Sequence, residues 1–341
     1  MTNNQTLMEL KAQLQKAAIL ELTTIAPYLT AEFSIPKKDV EGKAINSEAV
    51  NRLHKIFVEE MQHCAKVSKM LYSIGGEVQF NSDTIPKFPF KAEFVGNEKF
   101  PEPYFGRRDL EINLESYSKN SLRTFLEIEK PDYLKVEESR FMGTREEVYD
   151  AYTIGEFYQL IEININKLFK ENPEFVLRGL YTSKDAILND LKLIAEQGEG
   201  NIDHIDVNNH FYKFLELYNE REFVSTDKLD VVPSNKEYPV STGKTLELDK
   251  SILIIKNAKH IDYVGNDRLS SLNLQFNTAY TNLLKIMQTE YNAGRDALSN
   301  GNFRMVMFSL RGIGENMMEI EFAKDEDGNS IFGAPSFEWQ E

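Results

Sequence analysis

The sequence predicts an all-α chain: a four-helix bundle with a long crossover connection, followed by a C-terminal helical extension. Three observations carry this. Apolar residues recur at spacings of three and four along several segments long enough to be bundle helices. Residues 77–115 interrupt that pattern with Pro86, Pro89, Pro101 and Pro103 among aromatic residues. Bundles with parallel neighbours need such a connection between helix pairs. Finally, acidic residues stand on the apolar stripes at repeated positions, which an ordinary bundle avoids.

The first helix is predicted over Leu7–Phe33, with Leu14, Ala18, Glu21, Ile25 and Tyr28 on one face and Pro27 as an expected kink or break. The second spans Ser47–Ile74. Ser47 is its N-cap, Gly75-Gly76 its stop, and Leu53, Ile56, Phe57, Glu60, Cys64, Val67 and Leu71 its stripe. A short helix covers Leu122–Glu129, ahead of Pro131. The third main helix runs Arg145–Asn172, with Tyr149, Tyr152, Glu156, Leu160 and Ile163 on its stripe, and Pro173 stops it. The fourth runs Lys184–Gln197 and ends at Gly198-Glu199-Gly200. A further helix spans Asn208–Arg221. Residues 222–250 are polar and read as a linker. Two amphipathic helices, Leu269–Ser299 and Asn302–Phe322, precede a Gly- and Pro-containing tail. The division expected is a bundle over 1–221 and a linker with a helical region packing on it over 222–341.

The 341 residues carry a net charge of −15. That balance opposes nucleic-acid binding, which needs clustered cations. The longest apolar runs are short, as at Ser251–Ile255, so no membrane span is expected. The opening Met1–Thr6 lacks a basic and an apolar region, which argues against a secretory signal. The single cysteine, Cys64, excludes an internal disulfide and suits the cytoplasm. It reads as a small core residue. No Walker A, nucleophilic triad or Rossmann fingerprint is present.

Glu21, Glu60 and Glu156 lie on the stripes of their helices, and Glu196 follows Leu193 and Ile194. Burying an ionised carboxylate is costly unless something compensates it, and a metal ion can. Glu60 and His63 stand at i and i+3, on one side of a helix. The Glu21–Glu60 and Glu156–Glu196 intervals are nearly equal, 39 and 40 residues. The halves therefore look like a repeated helix pair offering Glu21, Glu60, His63, Glu156 and Glu196 to a dimetal site. The sixth ligand is left between His210, reached by a fold back after Gly198–Gly200, and Glu199 at the helix end. His210 is preferred, and His204 competes with it. His54 and His260 are read as non-ligands.

These motifs resemble a known family. Glu21-Leu22-Thr23-Thr24-Ile25-Ala26-Pro27-Tyr28, Glu59-Glu60-Met61-Gln62-His63, Phe88-Pro89-Phe90, Tyr152-Thr153-Ile154-Gly155-Glu156, Glu196-Gln197-Gly198-Glu199-Gly200 and Asn209-His210-Phe211-Tyr212 follow in the order seen in the ferritin-like family that includes iminophenyl-pyruvate dimer synthase. The resemblance spans about residues 10–220, and the Gly333–Trp339 tail extends it. It implies Glu21, Glu60, His63, Glu156 and Glu196 as metal positions.

Carboxylate-rich sites with few histidines suit iron, with manganese as the alternative. The expected activity is a non-haem di-iron oxidoreductase that uses O2 or peroxide on a small, amino-acid-derived metabolite. The alternative is a ferritin-like iron-handling protein with no organic substrate. A homo-oligomer is compatible with either.

Overall fold

In the computed structural model of the chain, residues 2–37, 41–43, 45, 47–91, 110–129, 154–198, 209–224, 241–248 and 250–341 are described. Eight α-helices lie among them: α1 (Thr2–Phe33), α2 (Glu48–Ser73), α3 (Lys119–Ile128), α4 (Ile154–Glu171), α5 (Lys184–Gly198), α6 (His210–Asn219), α7 (Asp267–Asn292) and α8 (Gly301–Met317). Two short antiparallel pairs complete the description. Phe90–Lys91 (β1) pairs with Glu111–Ile112 (β2), and Glu321–Lys324 (β3) with Ser330–Phe332 (β4).

Local chemistry accounts for the helix ends. Ser47 caps α2 by accepting from the Val50 amide at 3.1 Å, and Gly75 ends the segment at φ 82°. Pro27 lies within α1 and does not terminate it. Ser118 and Ser121 form a reciprocal cap on α3. Asn209 caps α6 by accepting from the Tyr212 amide at 2.9 Å, so His210 is the first helical residue.

α1 lies against α2 and α4, and α5 lies against α2 and α4, so these four helices close into a ring. That is the predicted four-helix bundle. Polar contacts fix the α1–α4 pairing: Asn164 Nδ2 donates to Gln13 Oε1 at 3.0 Å, and Thr6 donates to Glu171 at 3.2 Å. α3 packs on α6, and Tyr28, Phe125 and Phe214 join α1, α3 and α6 through edge-on and tilted ring contacts at 4.7–5.2 Å.

The C-terminal helices share one apolar core with the bundle. α7 packs on α2, and α8 packs on α7 and α1. The described start of the crossover is tied to α7: Asn292 exchanges two hydrogen bonds with the Val78 backbone, and Gln288 accepts from the Phe80 amide at 2.7 Å. The tail returns over α7, where Asn273 and Asn277 both donate to the Ser336 hydroxyl.

The main departures from the sequence reading are two helix ends and a strand pair. α7 stops at Asn292, not Ser299, because Gly294 turns at φ 69° and Asp296 caps a separate 3-10 turn over Ala297–Ser299. α8 stops at Met317, not Phe322. The residues beyond it form a hairpin whose turn, Asp325–Asn329, places Gly328 at φ 85° and is held by the Asp325 carboxylate. The β1–β2 pair was not anticipated within the connection. Part of that connection, the segment Arg145–Thr153 and most of the 222–250 linker lie outside the described residues. No described helix is long and apolar enough to cross a membrane.

Candidate metal centre

Five ionisable side chains from four elements meet inside the bundle. α1 contributes Glu21, α2 contributes Glu60 and His63, Glu129 comes from the C-cap of α3, and His210 begins α6. Each is at most 4% exposed. They form two groups, Glu21–Glu60–His63 and Glu60–Glu129–His210. Within each group one potential ligand atom per residue lies within 4.8 Å of the others. Glu60 belongs to both, so the arrangement is that of two adjacent cation sites with one shared carboxylate.

The histidines are aimed by what lies behind them. His210 Nε2 faces Glu59 Oε2 at 3.2 Å, and Lys213 Nζ donates to the same oxygen at 2.6 Å. Burial alone would raise the Glu59 carboxyl. The hydrogen bonds from His210 and Lys213 outweigh it and hold the group at about 2. An ionised carboxylate only accepts, so His210 Nε2 carries a hydrogen and Nδ1 faces the cluster. His63 is turned in the same way. Its Nε2 donates to Gln197 Oε1 at 2.9 Å, and its Nδ1 lies 3.3 Å from Glu21 Oε2. The two rings stack with centroids 5.5 Å apart.

Hydroxyl groups hold the carboxylates. Thr24 donates to Glu60 Oε2 at 2.9 Å, Tyr28 donates to Glu129 Oε1 at 2.5 Å, and Tyr158 of α4 donates to Glu21 Oε1. Each terminal acid thus has one oxygen occupied by a phenol and one directed inward.

The electrostatics penalise uncompensated charge in the cluster. Burial, above all, pushes the Glu21 carboxyl up to about 7, against the hydrogen bond from Tyr158 that favours its charged form. Glu60 is raised by the same cause, although His210 opposes it. Burial lowers His63. Burial also disfavours charge on His210, but Glu60, Glu129 and Glu59 outweigh it and raise His210 well above the usual range.

His210 Nδ1 is the most telling atom. It is buried, 2.6 Å from Glu60 Oε1 and 3.5 Å from Glu129 Oε2, yet it makes no hydrogen bond of acceptable geometry. A buried ring nitrogen aimed among carboxylate oxygens, off the hydrogen-bond line, stands where a ligand to a cation would stand once its proton has left. The donor set, three carboxylates and two imidazoles, fits two hard or borderline divalent cations.

Residues 14–219, more than half of the chain, match the family model described as Ferritin-like. The chain belongs to the ferritin-like family. Among solved structures it is similar to a ferritin-like protein from Caulobacter vibrioides, with a TM-score of 0.57 at 18% identity over 90% of this chain and 93% of that one. That likeness is one of fold. No curated protein matches the chain.

The ferritin-like ring brings together four of the six residues singled out from sequence: Glu21, Glu60, His63 and His210. It does not bring in Glu196. The Glu196 carboxylate is 41% exposed and faces Lys192 at 3.5 Å, one helical turn away on α5. Its neighbour Gln197 is the α5 residue that turns inward, to His63. The stripe of α5 therefore passes through Ile187, Leu191 and Ile194, and Glu196 lies off it. The backbone of Glu156 lies in α4, two residues before Tyr158, but its side chain lies outside what is described, as do Glu199 and His204.

Glu129 and Glu59 were missed. For Glu129 a usable signal existed: Leu122, Phe125, Leu126 and Glu129 follow the same three-and-four spacing that singled out Glu21 and Glu60. Glu59 carried no such signal, because its position beside Glu60 puts it off the stripe. His54 makes an ion pair with Glu32 away from the cluster, and Cys64 is a buried core residue whose thiol donates to the Ala18 carbonyl.

Proposed function

We propose that this ferritin-like protein binds two iron ions, one in each group, and acts as a non-haem oxidoreductase that uses O2 or peroxide. The observation that carries the reading is the convergence of three buried acids and two histidines around a shared Glu60. Bound there, the two metals would supply one-electron redox chemistry. Manganese suits the same donors.

The chain's own residues then have definite tasks. Glu60, held in rotamer by Thr24, would be shared by the two sites. Glu21 and Glu129 would each offer a metal the carboxylate oxygen that its tyrosine does not hold. His63 and His210 present Nδ1 because Gln197 and Glu59 occupy Nε2. The apolar walls Leu20, Ile154 and Ile194 exclude bulk water from the centre. The similarity of motifs to iminophenyl-pyruvate dimer synthase suggests a small, amino-acid-derived metabolite as the compound oxidised. Residues 222–341 would then serve as a covering region packed on the bundle.

A second reading has its own support. Among the described residues, the cavity at the cluster is about 20 Å³, enough for metal ions or a water molecule and too small for an aromatic substrate. This favours an iron-handling role without organic substrate.

The test of the centre is metal analysis on chain purified from an iron-supplemented host. Two iron ions per chain are expected, with an absorption change on exposure of the ferrous protein to O2. Glu60→Ala should lose both ions, and Glu21→Ala should lose one. Iron-free protein that keeps its fold and takes up no ferrous ion would sink the proposal. Oxygen or peroxide consumption with ferrous ion as the only reductant supports iron handling. Consumption that depends on an added aromatic amino-acid-derived imine supports the oxidoreductase.

A further inference from the structure

A second cavity beside the bundle helices lies away from the metal cluster. It has a volume of about 390 Å³ and sits between α8 and the outer faces of α1 and α2. The helices that carry the ligands turn their backs to it. α2 presents Phe57 and Met61 here and Glu60 and His63 to the cluster, while α1 presents Phe33 here and Glu21 there. The cavity falls within the range of small-molecule sites, about 300–1,000 Å³.

Its origin is in how α8 meets α1. At Gly314 the two helices touch so closely that a Cβ would stand 2.7 Å from Phe33 Cε2. The other half of α8 carries Phe303 and Met307 along the cavity wall. Methionine and phenylalanine walls accommodate irregular apolar bodies. At the mouth, Phe308 lines the cavity yet is 75% exposed, and Met305 beside it is 70% exposed. Two large apolar side chains left in water at a cavity rim mark a surface that something covers.

The rim is cationic in a chain of net charge −15. Glu32 is buried and already compensated by Arg311 at 3.1 Å, Lys37 at 3.3 Å and His54 at 3.3 Å. Arg304 is different. Its guanidinium donates to the Ser299 carbonyl at 3.2 Å and has no carboxylate partner among the described residues. An arginine at the edge of an apolar cavity, with five donors and one neutral acceptor, suits the head group of an organic acid.

We propose that this cavity is a binding site for a small amphipathic carboxylate, its apolar body between α8 and the α1–α2 pair and its carboxylate on Arg304. Because Met61 and Gln62 line it and stand between Glu60 and His63 in sequence, the occupant touches the turn of α2 that carries two cluster ligands. The site does not depend on the metal reading and can be tested on metal-free protein.

The experiment is calorimetric titration of the full chain with dodecanoate, below its micellar concentration, and with dodecan-1-ol as the neutral control. One dodecanoate per chain is expected, bound about tenfold or more tightly than the alcohol, as a charge-assisted contact to arginine would give. Arg304→Gln, an exposed change, should erase that preference and leave the alcohol's affinity unchanged. Met307→Trp puts a bulkier ring into the cavity and should weaken binding of both, with the circular dichroism and thermal transition checked for an intact fold. Absence of saturable binding, equal affinity for acid and alcohol, or binding of both left unchanged by Met307→Trp would each overturn the proposal. So would a dimer in sedimentation that Phe308→Asp dissociates, since a second copy would then be the occupant.

Discussion

His210 shows how one side chain's role is set by the group behind it. Its Nε2 is committed to Glu59, and Glu59 is in turn held by Lys213, which is only 6% exposed. Replacing Glu59 by Gln keeps the size and removes the charge. The amide can then present either an oxygen or an NH2 group to Nε2, and the tautomer of His210 is no longer dictated. The expected outcome is a loss of roughly 10–100-fold in affinity for the metal bound by Glu60, Glu129 and His210, with the other ion less affected. Competition with a chelator, followed by metal analysis, checks it, and unchanged affinity at both sites would remove Glu59 from the argument. Glu196 is the counterexample at this scale. Leu193 and Ile194 precede it, but its carboxylate has Lys192 at i−4, and that local ion pair needs no metal.

At the scale of the element, the centre depends on helices ending where they do. α3 stops with Glu129 as its C-cap, and α6 starts with His210 immediately after its N-cap Asn209, so both ligands come from helix termini. Helix α8 depends on a close approach instead. Gly314→Ala places a methyl group against Phe33 and should destabilise the protein by about 1–3 kcal/mol, because the buried ring must shift to admit it. Chemical denaturation measures this. Gly312, on the same helix with open space around its Cβ position, is the control, where Ala should be neutral or stabilising by up to about 1 kcal/mol. Equal effects at the two positions would show that the α8–α1 contact is looser than described.

For the whole molecule, the buried acids link folding to pH and to metal. The Glu21 carboxyl ionises at about 7 when folded, against an ordinary value of 4.5. Between those values the folded state holds the proton more tightly than the unfolded chain does. The metal-free protein therefore loses stability as pH rises from 4.5 to 7, by on the order of 3 kcal/mol from this group. His210, raised above its usual range, adds in the same direction: its contribution is present below 6.5 and lost as pH rises through its folded value. Metal binding reverses the slope, since a cation needs Glu21 ionised and the Nδ1 proton of His210 gone. Thermal unfolding between about pH 5 and about pH 8 should show a falling midpoint in chelator and a rising one in anaerobic ferrous ion. Parallel curves in the two conditions would mean that the acids and histidines hold no cation.

Much of this was legible in the chain, and the divide has a physical cause. Helix periodicity, the Ser47 cap and the glycine stops at 75 and 198 are local, and so is the i, i+3 pairing of Glu60 with His63. Sequence alone therefore specified a helical bundle with an inward-facing acid on each of its first two helices. What sequence spacing cannot express is which side chains from distant segments meet. Glu129 stands in the cluster where Glu196 was expected, because packing of Phe125 against Tyr28 and Phe214 draws the end of α3 inward, whereas Glu196 lies off the buried stripe of α5 and stays at the surface beside Lys192. Whether a carboxylate is a ligand or half of an ion pair is decided by its neighbours across the core, and only the folded chain supplies them.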